Sequence, residues 1–128
     1  MMYNDNHANI KKGDVFFIEL EREGVVGSEQ CGTRPAICIQ NNKGNTYSPT
    51  IIVALLTTKI SKKRLPTHVP INIDEEIECT LNRNSLALCE QLRTIDKRRI
   101  ITRCGHLSSE TIRKIDIALK NSLALDEE

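Results

Sequence analysis

Thr50-Ile51-Ile52-Val53-Ala54-Leu55-Leu56-Thr57 is the stretch on which the reading of this chain turns. The run is continuous, apolar and rich in β-branched residues, so it reads as a strand buried on both faces. Its apolar part, Ile51 to Leu56, is the longest such run in the chain. At that length it is far too short to span a membrane as a helix.

Upstream of this strand, Asn41 to Pro49 (NNKGNTYSP) is dense in turn residues and reads as a turn. Ala36 to Gln40 is a second strand before it. Arg34-Pro35 closes a long polar loop, Glu21 to Thr33, and Pro35 suits a strand start or an edge, not a central ladder. A loop that long in a small domain is usually functional. Val15 to Leu20 is β-branched and aromatic, and reads as the first strand. Met1 to Ile10 is Asn-rich and polar, and is expected to be a disordered tail (1–10) ahead of a single domain (11–128).

Downstream, Thr58 to Pro66 carries Lys59, Lys62, Lys63 and Arg64 and reads as an exposed basic loop. Thr67 to Ile73 contains Pro70 and reads as an edge strand. Asp74 to Glu78 is acidic and expected to be exposed. Ser85 to Ile95 fits helix or strand, and alternation of Leu86 and Leu88 with smaller residues favours strand. Ser108 is a helix N-cap, with Leu107 and Ile112 at staple positions. Ile112, Ile115, Leu119 and Leu123 then share one helical face, predicting an amphipathic C-terminal helix on a sheet. The class is β-rich α+β, or a small barrel with a terminal helix.

A length of 128 residues fits one domain, and 39% hydrophobic with 27% charged residues excludes disorder and low complexity. Two Phe, two Tyr and no Trp argue against a broad aromatic platform for stacking bases. A net charge of +1 means that any nucleic-acid site must be a local patch. The five cysteines form no C-x-x-C and lie at no zinc spacing from a histidine. Their odd number and the polar, unsignalled start of the chain point to reduced thiols and a cytoplasmic location. His7, His68 and His106 are far apart, and read as structural or exposed residues. No common catalytic motif for nucleotides, zinc or a serine nucleophile is present.

Gly27-Ser28-Glu29-Gln30-Cys31-Gly32-Thr33-Arg34-Pro35 resembles the G-S-E-Q-x-G-x-R-P signature of the MazF/PemK family of toxin endoribonucleases. The likeness continues through Gln40–Asn45, Ser48-Pro49-Thr50, Ala54–Thr57, Leu65–Val69 and Glu90–Lys97, and so covers nearly the whole chain from Lys11 to Leu125. It implies a small SH3-like barrel of twisted antiparallel strands and a homodimer. It implies a sequence-specific toxin that cuts single-stranded RNA without a metal or cofactor, leaving a 2′,3′-cyclic phosphate and a 5′-hydroxyl. It also implies inhibition by a cognate MazE-like antitoxin whose acidic tail folds along the RNA groove. The chain resembles most the variants from low-GC Gram-positive bacteria, which tend to read a five-base site such as U-A-C-A-U. Three features depart from the family pattern: Cys31, a longer and more charged Glu21–Gly24, and the N-terminal tail.

The family's catalytic pair matches Arg34 and Thr57 here. Internal attack by a 2′-hydroxyl needs proton transfer and charge stabilisation on the phosphorane, but no outside nucleophile. Arg34 suits the second task, because its planar fork holds two phosphate oxygens, and its high pKa makes it a poor base. Thr57 can donate its hydroxyl to a non-bridging oxygen. Ser28, Glu29 and Gln30 are candidates for RNA contact in the loop, and Lys59, Lys62, Lys63 and Arg64 for phosphate contact beside Thr57. Gln91 and Arg93 are further RNA-binding candidates. Two other readings share the fold: a gyrase-poisoning toxin and a non-catalytic SH3-like interaction module. The Arg–Thr pair argues for the nuclease over the first, and the scarcity of aromatic residues argues against the second.

Overall fold

The computed structural model describes residues 9–21, 32–60 and 64–125. Its elements in chain order are β1 (Asp14–Leu20), β2 (Gly32–Cys38), α1 (Asn42–Tyr47), β3 (Thr50–Thr57), β4 (His68–Ile71), β5 (Ser85–Asp96), β6 (Ile100–His106) and α2 (Ser109–Leu123). A 3-10 turn, Lys97–Arg99, links β5 to β6. The six strands described form one sheet in the order β4-β5-β3-β2-β1-β6, with every neighbouring pair antiparallel. The long apolar run, β3, lies inside the sheet between β5 and β2, which is why its residues can stay apolar on both faces. Only Ile52 of its apolar residues is substantially exposed.

The two edges of the sheet are brought together. Past β4, one edge, the chain reaches β6, the other edge. There His106 N–H donates to the Glu78 carbonyl (3.0 Å) and Thr80 N–H donates to the Cys104 carbonyl (2.8 Å). Cys79 bridges Gly105 between them. The approach is so close that a Cβ on Gly105, whose φ is +138°, would lie 2.0 Å from the Glu78 carbonyl oxygen. Glycine is required here both by backbone conformation and by space. The sheet thus curls on itself, as the small-barrel expectation holds.

Two buried clusters follow from strand alternation. Phe16, Ile18, Ala36, Cys38, Val53, Leu55 and Ile95 belong to one. Val15, Ile37, Leu56, Ala87 and Cys89 belong to the other, which α2 covers with Ile115 and Ala118. Truncating Ile115, which is 2% exposed, would cost about 2–5 kcal/mol. Ile10, which the sequence places in the tail, is buried in the first cluster; residues 1–8 lie outside the described ones.

Ser108 caps α2 as expected, its hydroxyl accepting from Thr111 N–H. The acidic segment before β5 differs from expectation at Glu76, which is 3% exposed. Its carboxylate accepts from Ser108 N–H at 2.7 Å and from the hydroxyls of Ser108 and Thr111. Burial is repaid because unpaired N–H groups and the helix dipole make this helix end attractive to an anion. The turn-rich Asn41–Pro49 contains the short α1, because the Asn41 side chain accepts from Gly44 N–H and caps it. β6 had no counterpart in the sequence reading.

Candidate active site at the β2–β3 mouth

β2 starts at Gly32, earlier than the sequence predicts, because β1 supplies partners back to Leu20↔Gly32. Thr33 Oγ1 donates to Glu19 Oε2 at 2.7 Å across that ladder. Arg34 is therefore inside a strand, opposite Ile18, and not at the end of a loop. Pro35 sits in the same strand, opposite Phe17, which corrects its assignment to a strand start or edge. The hydrogen-bond phase explains why it is tolerated. Ile39 N–H donates to the Ile52 carbonyl at 2.9 Å. Alternate antiparallel pairs are hydrogen-bonded, so the bonded positions continue as Ile37–Ala54 and Pro35–Leu56. Pro35 has no N–H to give Leu56. The β2–β3 ladder accordingly stops at Ala36↔Leu55.

Carried two steps beyond the last pair, that register would set Arg34 opposite Thr57. By alternation both share a face with Ala36 and Leu55, beyond the buried cluster to which those residues belong. Both are half-buried. Thr57 Oγ1 accepts from Lys59 N–H at 3.1 Å, which orients the hydroxyl and leaves its proton to donate. Arg34 offers a planar cationic fork and Thr57 an oriented neutral donor, just past the last recorded β2–β3 pair.

β5 bends beside this mouth. Ala54 faces Leu92 while Leu55 faces Leu88, so Cys89, Glu90 and Gln91 bulge out of the β3 ladder. Arg93 is opposite Val53 and half-buried. Gln91 is half-buried, and its Oε1 is buried without a hydrogen-bond partner among the described residues. Lys59 and Arg64 are exposed at the two described ends of the basic stretch. Ser28, Glu29, Gln30, Lys62 and Lys63 lie outside the described residues, as does Cys31.

The sequence reading passed over a polar cluster on the neighbouring strands. Thr67 Oγ1 donates to Glu90 Oε1 (3.0 Å), and His68 Nε2 lies 3.0 Å from Glu90 Oε2. Leu65 N–H donates to His68 Nδ1 (3.3 Å), so the neutral ring carries its proton on Nε2 and donates it to Glu90. Partial burial pushes the Glu90 carboxyl up, but the hydrogen bonds from His68, a backbone N–H and Thr67 outweigh it and hold its pKa below the usual range. The only signal in the sequence was Thr-His before one strand and Glu on another, which spacing does not connect. His106, the other histidine described, is bonded through Nδ1 to Asp14 (2.8 Å), which also pairs with Arg103. This group joins β1 to β6 four residues along β1 from Ile18, the partner of Arg34.

The thiols are set apart from this chemistry. Cys38, Cys89 and Cys104 are buried and Cys79 half-buried, all four free. Burial pushes Cys38 and Cys104 up to about 11 and Cys89 up to about 12. Among the described residues no group of three or more His, Cys, Asp or Glu is arranged to hold a metal ion. Nor is any described helix long and apolar enough to cross a membrane.

Comparison with known proteins places this geometry in context. Residues 11–123 match the family described as PemK-like, MazF-like toxin of type II toxin–antitoxin system. The chain is 49% identical over 116 residues to Endoribonuclease EndoA of Bacillus subtilis (strain 168), covering 91% of this chain and 96% of that protein. A mycobacterial endoribonuclease solved in complex with its cognate antitoxin superposes with a TM-score of 0.72 at 21% identity, over 91% of this chain and 96% of that one. MazF from Deinococcus radiodurans gives 0.71 at 18% identity, over 90% and 96%. The two structures share the fold, while the match over 11–123 and the 49% identity go further: the chain belongs to the family of PemK-like, MazF-like toxins of type II toxin–antitoxin systems.

Proposed function

We propose that this chain, an endoribonuclease toxin, cuts single-stranded RNA by internal attack at the Arg34–Thr57 mouth. The substrate's 2′-oxygen attacks the adjacent phosphorus, the bond from phosphorus to the 5′-oxygen breaks, and a 2′,3′-cyclic phosphate and a 5′-hydroxyl result. Arg34 spreads its charge over two oxygens of the phosphorane, and Thr57 donates a hydrogen bond to a third. The observation that carries the reading is the interrupted β2–β3 ladder. Pro35 ends strand pairing one step before the register that brings Arg34 and Thr57 opposite each other. Lys59, Lys62, Lys63 and Arg64 hold flanking phosphates, while Ser28, Glu29, Gln30, Gln91 and Arg93 contact RNA around the cut, at a UACAU-like five-base site.

Regulation belongs to the same proposal. A cognate MazE-like antitoxin covers the Arg34 groove with an acidic segment that orders on binding and competes with RNA. The toxin works as a homodimer in the cytoplasm, where free thiols such as the four described here stay reduced. A groove of about 680 Å³ between α2 and the sheet supports the dimer. Its lining includes Ile39, Ile52, Leu92, Ile117 and Leu123, three of them exposed, with charged residues such as Arg113 and Asp116 beside them. A second copy of the chain burying this apolar surface explains its composition.

The test is purified protein incubated with single-stranded RNA in EDTA. Cutting is expected, with cyclic phosphate at the new 3′ ends. An RNA with a 2′-deoxy residue at the cut position should bind and stay intact. Cleavage of the deoxy substrate, or a requirement for a divalent metal, would overturn internal attack.

A further inference from the structure

We propose that Cys79 and Cys104 are an oxidisable pair, and that a peroxide joins them in a disulfide that staples the two edges of the sheet together. Both thiols are free in the structure, so the bond is a modification that an oxidant must make. It goes beyond the nuclease reading and does not depend on how the chain cuts RNA.

The closure of the sheet sets the two residues side by side. Thr80 N–H donates to the Cys104 carbonyl and His106 N–H to the Glu78 carbonyl, so Cys79 and Gly105 between them form the close, non-hydrogen-bonded kind of antiparallel pair. Cys104 is the next residue along from the one that faces Cys79. Strand spacing sets such neighbours about 5–6 Å apart at Cα, inside the range of about 4.4–6.8 Å that a disulfide spans. The Thr80 hydroxyl also donates to the Cys104 carbonyl, at 2.9 Å, and holds the two segments in contact. Gly105 has no side chain to stand between the thiols.

Regular alternation would send Cys79 and Cys104 to opposite faces. β6 is irregular at this point. Val15 pairs with Gly105 but Phe16 pairs with Arg103, so Cys104 is the extra residue of a bulge. Its side chain is buried in the cluster beneath α2, and Cys79 packs against that same cluster. Burial pushes the Cys104 thiol up to about 11, and charge on Cys79 pushes it in the same direction, as a neighbouring like charge does. Cys89 also belongs to the cluster, but it is bonded to Thr67 at the start of β4, whereas Cys79 follows the far end of that strand.

Cys79 is half-buried and Cys104 buried, so a peroxide meets Cys79 first. The Cys79 sulfur attacks one peroxide oxygen, the O–O bond breaks, and a sulfenic acid and water result. The Cys104 sulfur then attacks the sulfenic sulfur. The S–O bond breaks, and the leaving hydroxide takes the Cys104 proton away as water. Two thiols lose two electrons and two protons, and one peroxide becomes two waters. The new bond closes a loop that contains all of β5, which restricts the unfolded chain. In a reducing cytoplasm both thiols stay free, and the staple forms when peroxide rises.

The test is to treat the native protein with hydrogen peroxide at pH 8 and map its peptides by mass spectrometry without reduction. A linked Cys79–Cys104 peptide is expected, with the intact mass lower by two hydrogens. The melting temperature should rise by about 10 °C and return when a dithiol reductant is added. Amide exchange at Thr80 and His106 should slow. Cys79→Ala should show neither the link nor the rise, and the wild-type map decides alone if that variant does not fold. Cys79 halted at the sulfenic or sulfinic acid while Cys104 remains a thiol would overturn the staple. So would a link from either residue to another cysteine, or a link that leaves the melting temperature unchanged.

Discussion

Pro35 stands one residue past the Ala36↔Leu55 pair that ends the β2–β3 ladder, where the antiparallel phase set by Ile39 and Ile52 calls for a hydrogen bond to Leu56 that Pro35 cannot donate. The ladder ends there, and the same register carried one step further would hold Arg34 and Thr57. One missing N–H thus separates the paired part of β2 and β3 from the Arg34–Thr57 pair proposed to act on RNA.

The first consequence is kinetic. Arg34→Ala should lower kcat by roughly a hundredfold or more, the scale of losing one preorganised donor to a developing oxyanion. RNA affinity should fall far less, since other cations also hold phosphate. Arg34→Lys should recover little, because a point charge does not reproduce the planar fork. Thr57→Val should slow cutting with an unchanged melting temperature. Single-turnover cleavage beside direct RNA binding separates these effects.

Ile117 is 55% exposed in the groove beside α2, so Ile117→Asp should leave the fold intact and disrupt pairing of two copies. Sedimentation velocity at micromolar concentration should show a dimer for the wild-type chain and a monomer for the variant. A monomeric wild-type chain would contradict the homodimer.

The buried thiols should be silent. With Cys38, Cys89 and Cys104 held protonated well above neutral pH, a chromogenic disulfide reagent at pH 8 should find at most Cys31 and Cys79 in the native protein. All five should react after denaturation. Because the folded pKa values are raised, the folded state binds more protons in alkali. Their contribution is complete below the ordinary thiol value of 9.0 and is lost as pH rises through 11 to 12. Chemical denaturation across that range would show the decline.

Glu90 works in the opposite direction. Its folded pKa lies below the usual 4.5, so its contribution is present above that value and disappears as pH falls through the folded one. The stability gap between wild type and Glu90→Gln should therefore be widest near neutrality and narrow below pH 4.5. A gap independent of pH would exclude the ionised carboxylate as its source.

Gly105→Ala tests the closure of the barrel. Its Cβ would lie 2.0 Å from the Glu78 carbonyl oxygen and 2.8 Å from Cys79 Cα, both backbone atoms that give little. Backbone strain at a glycine-only conformation alone costs about 1–3 kcal/mol, and parting Glu78–Thr80 from β6 adds to it. Thermal melting should show a marked loss of stability, with hydrogen exchange rising first at Thr80 and His106.

The sequence by itself determined the parts whose signals are local. The unbroken apolar run became β3, and Ser108 with Ile112 and Ile115 set where α2 begins and which side it buries. The signature through Arg34-Pro35 and the strand-end Thr57 identified the family and its candidate pair. Long-range pairing was not legible in the same way. Arg34 reads as the end of a loop until β1 supplies Ile18, and Pro35 reads as an edge residue until the phase of β3 shows where its missing N–H would point. Glu76 reads as a surface acid, and only the distant end of α2 makes its burial favourable. Thr67, His68 and Glu90 carry no shared pattern, since more than twenty positions separate Glu90 from the other two and a bulge in β5 turns it toward them. Propensity and capping depend on neighbours in sequence, whereas register, bulges and buried polar contacts depend on which strands meet, and that is settled only when the whole sheet closes.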